Sequence, residues 1–164
     1  MLKRILCALL ALTLTFSFVG CGEEDKTFTC AELSLTLSSD YREVEPTENT
    51  NMLLTDGKST VSFKRLSLAD AEKGGISPSY SDYQFAEFFL INSGIDGTVA
   101  SYADTPYYTY YDTADADRLF CLAAFYRTPY AFFIVIFATS ASREGDARDE
   151  YFKILETATY TIVD

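Results

Sequence analysis

The sequence predicts an α+β fold in which an antiparallel β-sheet of about six to eight strands carries helices packed on its faces. Three observations carry that expectation. Short runs alternate apolar and polar residues with a period of two, as Leu33, Leu35 and Leu37 do around Ser34 and Thr36. Two consecutive runs, 118–127 and 130–139, are apolar on both alternating sides, the composition of central strands covered on both faces. Two other segments, 82–92 and 146–157, carry helix signatures.

The N-terminus reads as an address rather than as part of the fold. Lys3 and Arg4 precede an unbroken run of apolar and small hydroxyl residues, 5–19, and then Gly20-Cys21, the layout of a secretory signal. That run is too short for a hydrocarbon core of about 30 Å, which takes roughly 20 helical residues to cross. The residues Phe18-Val19-Gly20-Cys21 resemble the bacterial lipobox, with Phe18 and Val19 bulkier than the motif prefers. The resemblance implies that residues 1–20 are removed and Cys21 carries lipid, 21–26 being a short tether and 27–164 a single domain. An ordinary signal followed by an unmodified cysteine is the alternative. Two acyl chains, at about 0.8 kcal/mol per buried CH₂, would hold the protein on the extracytoplasmic face of the cell membrane.

The length after cleavage suits one domain. Hydrophobic residues at 48% and aromatic residues at 15% argue for a folded chain. Removing Lys3 and Arg4 leaves 11 basic against 24 acidic residues, a net charge of −13. Such a surface is repelled by phosphate backbones and anionic headgroups, which argues against nucleic acid and leaves the lipid as the membrane contact. The tether reaches at most about 17 Å, so the domain stays close to the bilayer. Of four cysteines, Cys7 leaves with the signal and Cys21 is acylated. Cys30 and Cys121 remain, either as a disulfide or as two buried thiols.

Segments 27–30 and 33–37 read as strands around Ala31-Glu32. The stretch 41–51, with Glu43, Glu45, Pro46 and Glu48, reads as irregular and solvated. A second hairpin, 52–55 and 60–66, flanks Asp56-Gly57-Lys58. Gly74-Gly75 and Pro78 make 67–79 a loop. Ser81 with Gln84 is a capping-box pair opening helix 82–92, whose apolar residues imply packing on nearly all sides and which Gly94 ends. Strands 98–102, 107–112, 118–127 and 130–139 follow, broken at Asp104-Thr105-Pro106, at 113–116 and at Thr128-Pro129. Helix 146–157 has its apolar stripe on Tyr151, Ile154, Leu155 and Ala158. A closing strand, 159–163, completes the domain.

The order hairpin, hairpin, helix, four-stranded meander, helix, strand resembles the PsbP/Mog1-like fold over residues 27–163. It is similar in particular to small lipoproteins of Gram-positive, clostridial-type bacteria. The resemblance implies an antiparallel sheet sandwiched by helices and carries over no activity, because the fold hosts unrelated roles. Photosynthetic members use residues that include histidines beside a metal-containing complex.

This chain has no histidine. The usual general base, the Ser-His and Cys-His nucleophile pairs and the commonest zinc ligand are therefore missing. No G-x-S-x-G elbow, phosphate-binding glycine loop or paired C-x-x-C occurs, and no cofactor is implied. Asp112, Asp115 and Asp117 cluster at a strand end and offer oxygen ligands for Ca²⁺, without the glycine and terminal glutamate of an EF-hand. The alternative is a solvated acidic turn. Tyr107, Tyr108, Tyr110 and Tyr111 lie on one strand, where alternation sends Tyr108 and Tyr110 to one face and Tyr107 and Tyr111 to the other. One set forms a core, and the other is either core as well or an exposed binding patch for a sugar or protein. The expectation is a non-enzymatic binding or accessory domain for an envelope protein or cell-wall component. The alternatives are a carboxylate-dependent enzyme acting on envelope glycans and a structural subunit of an envelope complex.

Overall fold

A computed structural model describes residues 24–113 and 118–161. The expected signal segment, Cys21, Asp115, Asp117 and the last residues of the expected closing strand lie outside the described residues. Ten strands, three α-helices and a 3-10 turn are present among those described. The strands are β1 (Lys26–Cys30), β2 (Leu33–Leu37), β3 (Arg42–Val44), β4 (Met52–Thr55), β5 (Ser59–Ser67), β6 (Ala100–Tyr102), β7 (Thr105–Asp112), β8 (Leu119–Arg127), β9 (Ala131–Ser140) and β10 (Thr159–Tyr160). The helices are α1 (Leu68–Lys73), α2 (Asp82–Ser93) and α3 (Glu144–Leu155), α3 being preceded by the 3-10 turn Ala141–Arg143.

The strands form two antiparallel sheets. The large one has the order β3-β4-β5-β9-β8-β7-β6, and the small one the order β1-β2-β10. The apolar runs of β8 and β9 sit at the centre of the large sheet, paired through Leu122↔Phe137 and Ala124↔Val135. Alternation then divides the core in two. Phe120, Leu122, Ala124, Phe133, Val135 and Phe137 meet the leucines of β2 and Tyr151, Ile154 and Leu155 of α3. Ala123, Phe125, Phe132 and Ile134, on the other side, meet Ala71 of α1 and Phe85, Ala86 and Leu90 of α2. Helices do lie on both faces, but α3 shares its face with the small sheet.

That small sheet follows from the two-sided character of β1 and β2. Leu33, Leu35 and Leu37 are buried. The opposite side pairs hydroxyls across the strands, Thr27 with Thr36 at 3.0 Å and Thr29 with Ser34 at 2.8 Å. Such a hairpin covers a core on one side and meets solvent on the other.

Several local expectations change. The stretch read as irregular contains β3, an edge strand whose Glu43 pairs with Leu54; its charged, exposed residues mask the strand pattern, as edges commonly do. The stretch read as a loop begins with α1, Leu-Ala-Asp-Ala-Glu-Lys, in which every residue but Asp70 is a good helix former and Ser67 Oγ caps the first turn by accepting the Asp70 N–H at 3.1 Å. Pro106 lies inside β7, and the reversal occurs one step earlier, at Ala103 and Asp104. Helix α3 begins at Glu144 and stops at Leu155, and β10 is described only over Thr159–Tyr160. Helix α2 is covered on one side rather than nearly all round, because a single stripe meets the sheet while Ile91 and Tyr83 face outward. Cys30 and Cys121 are free, buried thiols. Cys30 belongs to the core beneath the small sheet, whereas Cys121 alternates with Ala123 and Phe125 on the opposite face, so the large sheet separates them and the disulfide is not formed.

The capping box is present. Ser81 Oγ accepts the Gln84 N–H at 3.2 Å and Gln84 Oε1 accepts the Ser81 N–H at 3.0 Å. Ser81→Ala is expected to reduce stability by about 1 kcal/mol in urea denaturation, with Ser81→Asp near the parent. A Ser81→Ala midpoint equal to the parent's would show that the cap contributes nothing.

Candidate functional site

Five chain segments converge at one end of the molecule to form a polar cleft of about 430 Å³. Asp82 comes from the first turn of α2, Asp104 and Thr105 from the β6–β7 reversal, Arg127 from the end of β8, Glu156 from the end of α3 and Tyr160 from β10. The reversal is a two-residue hairpin loop closed by the Tyr102↔Thr105 pair, with Ala103 at φ 47° and Asp104 at φ 63°. Positive φ at both central residues matches the twist of the flanking strands, which is why a tight hairpin accepts it. Aspartate tolerates this region; alanine does so at a cost of about 1–2 kcal/mol. The turn sets a carboxylate at the cleft rim.

Glu156, Asp82 and Arg127 each have a defined partner. Glu156 Oε1 accepts the Tyr102 hydroxyl at 2.7 Å, a bond that holds the Tyr102 phenol above its ordinary range. Asp82 Oδ1 accepts the Tyr83 N–H at 2.8 Å. Arg127 donates to the Pro78 carbonyl at 3.0 Å and lies 5.0 Å from the centre of the Phe132 ring. Tyr160 is 48% exposed, yet its phenol is pushed up to about 12, first by loss of solvent around the hydroxyl and then by the Asp82 charge. Tyr126, only 1% exposed, has its ring 6.4 Å from that of Tyr160 in an edge-on arrangement. The Tyr126 hydroxyl makes no hydrogen bond, although the Thr105 side chain is close enough to favour the ionised phenol; burial outweighs this and raises the group. Three carboxylates face a single guanidinium, so the cleft is acidic. Among the described residues no set of three or more acidic or cysteine side chains converges on a metal position.

The strand tyrosines lie elsewhere. Tyr107 is half-buried, edge-on to Phe152 at 5.2 Å. Tyr108 is buried against Phe125 at 5.3 Å, and Tyr110 is half-buried beside Cys121, its phenol raised by burial and then by that thiol. Tyr111 is 42% exposed; its hydroxyl donates to Glu144 and the Arg118 guanidinium sits 3.7 Å over its ring. The expected alternation holds, but members of both sets pack, and of the four only Tyr111 is exposed rather than buried or half-buried. Asp112 ends β7 opposite Leu119, at the far end of that strand from the cleft. The nearest feature to a catalytic acid is Glu150, whose carboxyl is raised by burial and by Asp56 and lies 3.5 Å from the Tyr41 hydroxyl. Asp56 is committed to its turn, accepting the Lys58 and Ser59 N–H groups at 2.7 and 2.6 Å. Sequence reading missed the cleft because its residues come from five segments with no local motif.

No protein-family model and no curated protein matches the chain. Solved structures do resemble it. A protein from Bacteroides thetaiotaomicron VPI-5482 superposes with a TM-score of 0.58 at 12% identity, covering 86% of this chain and 49% of that one, so this chain spans about half that protein's length. LpqN, involved in cell envelope biogenesis of Mycobacterium tuberculosis, gives 0.44 at 14% identity over 85% of this chain and 91% of its own, a likeness too remote to bear on role. Cyanobacterial PsbP (CyanoP) from Synechocystis sp. PCC 6803 gives 0.52 at 12% identity over 88% of this chain and 96% of its own. The α+β architecture, with its seven-stranded and three-stranded antiparallel sheets, is therefore a PsbP-like fold.

Proposed function

We propose that this chain is a lipid-anchored, extracytoplasmic accessory domain that binds an envelope protein or cell-wall component without transforming it. The observation that carries the reading is the position of the acidic cleft relative to the chain's entry. The fold begins at Lys26, beside Leu37, and β1 runs to Cys30 at the other end of the hairpin. Tyr160 of the cleft pairs with Leu33 at that second end. Five strand residues separate the two ends by roughly 15 Å, so a domain tethered through Cys21 is free to present its cleft away from the bilayer. The acidic surface supports the same orientation, because it is repelled by anionic headgroups.

Radiolabelled palmitate is expected to enter the parent protein and not Cys21→Ser, and the parent alone should partition into the detergent phase. Absence of label in the parent would remove the anchor from the proposal. An affinity pull-down with the acylated protein from its own membrane, against the Cys21→Ser control, reads the partner.

A further inference from the structure

We propose that the outward face of α2 is a docking surface for a basic amphipathic helix of a partner protein, with aliphatic anchors along one side and lysine or arginine beside them. The proposal rests on the accessory-domain reading and adds to it a surface and the kind of partner that fits it.

Helix α2 is apolar on more than the side it buries. Phe85, Ala86 and Leu90 meet the large sheet. Gln84, Phe88 and Ile91, at i, i+4 and i+7, form a second stripe along the helix. Tyr80 continues that stripe ahead of the helix, its ring 6.5 Å from that of Phe88. Together with Glu87 these residues line a shallow groove of about 280 Å³. Ile91, at its end, is 78% exposed, more than any other large apolar side chain among the described residues. A helix side that meets only water ordinarily carries charged residues, whereas this one carries an aliphatic and two aromatic side chains around a single carboxylate. Rows spaced four and three residues apart are the ridges and grooves that receive another helix. The chain enters the fold through β1, which belongs to the layer on the opposite side of the large sheet.

Charge selects the partner. Between Lys73 and Arg118 the chain carries seven acidic residues and no basic one. Asp82 and Glu87 lie on α2 and Asp96 shortly after it, and none of them is in an ion pair among the described residues, where the pairs are Arg65–Glu32, Lys73–Asp70 and Arg148–Glu144. The last turn of α2, beside Ile91, has no basic residue to offset the negative end of the helix dipole. Arg127, which reaches Pro78 ahead of the helix, is taken up by that carbonyl and by the Phe132 ring. An apolar groove within an acidic field complements a helix that is aliphatic along one side and basic at its flanks. A second copy of this chain would bring the same acidic face, and an anionic bilayer would be repelled by it.

The experiment titrates the Cys21→Ser chain into a fluorescein-labelled helical peptide of leucine and lysine, with its leucines on one stripe, and follows anisotropy. Two control peptides have the same leucines with glutamate for lysine, and the same composition scrambled to remove the stripe. The first peptide is expected to bind, and each control at least tenfold more weakly. Affinity should fall about tenfold in Ile91→Asn, which alters an exposed position, and severalfold in Glu87→Gln. The distant variant Glu43→Gln/Glu45→Gln/Glu48→Gln removes more charge and should stay within about twofold of the parent. Losses in the distant variant equal to those in Ile91→Asn would reduce the effect to bulk charge and overturn the proposal, as would no binding of the leucine-lysine peptide. A parent dimer in sedimentation equilibrium that Ile91→Asn dissociates would assign the face to a second copy. Flotation of the Cys21→Ser chain with phosphatidylglycerol vesicles, lost in Ile91→Asn, would assign it to the membrane. Either result overturns the proposal. Equal unfolding midpoints for the parent and Ile91→Asn show that a lost affinity is a lost surface. Failure of the peptide titration with palmitate labelling intact removes the α2 surface and leaves the anchor, and the converse result removes only the anchor.

Discussion

Replacing Phe85 with alanine is expected to lower the unfolding free energy by about 3–5 kcal/mol, enough to depress the melting midpoint by about 10 °C or more. Phe85 is fully buried where α2 crosses the large sheet. Its ring stacks on Phe132 at 4.4 Å and meets Phe125 and Phe89 edge-on at 5.6 and 5.0 Å. Truncation removes the apolar burial and several aromatic pairs together, and leaves a cavity that strands β8 and β9 are too tightly laddered to close. The helix is also exposed to this loss for a local reason. A twelve-residue helix is marginal in water alone, so α2 persists through its packing. Ile91→Ala on its outward face, 78% exposed, is the matched comparison and should change stability by no more than about 0.5 kcal/mol. Urea denaturation that returned similar values for the two variants would remove Phe85 from its central place in that core.

The second large effect belongs to Glu32, a carboxylate only 4% exposed at the β1–β2 turn. It accepts Arg65 Nε at 3.0 Å and a second guanidinium nitrogen at 3.2 Å, and the Thr128 hydroxyl at 2.9 Å. The Glu32 carbonyl also accepts the Thr161 N–H at 2.9 Å. One residue thus ties the small sheet to β5 and to the β8–β9 turn. Breaking a buried pair costs about 3–5 kcal/mol; because Arg65 keeps 30% of its side chain in solvent, Glu32→Ala is expected to cost about 2–4 kcal/mol. Burial by itself would raise the Glu32 carboxyl, but the Arg65 and Thr128 bonds outweigh it and hold the group below the usual glutamate range. The folded value lies under the unfolded one, so this contribution is complete above the unfolded value and is lost as pH falls through the folded value. Glu32→Gln should therefore flatten the acid limb of the stability profile as well as lowering its plateau. A parent and Glu32→Gln pair with parallel acid limbs would contradict the assignment.

Some of this architecture is readable one residue at a time. The capping box of α2, the two-sided apolar runs of β8 and β9, and the stripe of Tyr151, Ile154 and Leu155 on α3 are all local patterns, and each matches the element it foretells. The misses are instructive because they are not random. β3 is an edge strand and exposes charge on the positions that would reveal it. α1 is a single short helix whose formers are overshadowed by the Gly-Gly and Pro that follow. The break expected at Asp104-Thr105-Pro106 moves to Ala103–Asp104 because a tight hairpin needs two residues of positive φ, and alanine does not advertise that role.

The candidate site was less legible than the fold. Alternation correctly separated Tyr108 and Tyr110 from Tyr107 and Tyr111, since successive side chains of a strand must point to opposite sides. It could not say that α2 would cover one set and α3 with the small sheet would flank the other, because that depends on tertiary packing. The same limit governs Cys30 and Cys121. Their compatibility as a pair was a matter of composition, and their separation by the large sheet is a matter of topology.

By itself, then, the sequence determined the strand and helix periods, the strong acidity, the absence of histidine chemistry and the PsbP-like order of elements, because each depends on residue identity or on neighbours within a few positions. Only the tertiary structure decided that the strands divide into two sheets, that Glu32 is clamped by Arg65, and that Asp82, Asp104, Glu156 and Tyr160 share one cleft. Backbone periodicity acts over a turn or a strand, whereas burial and the meeting of distant charges depend on how whole layers pack.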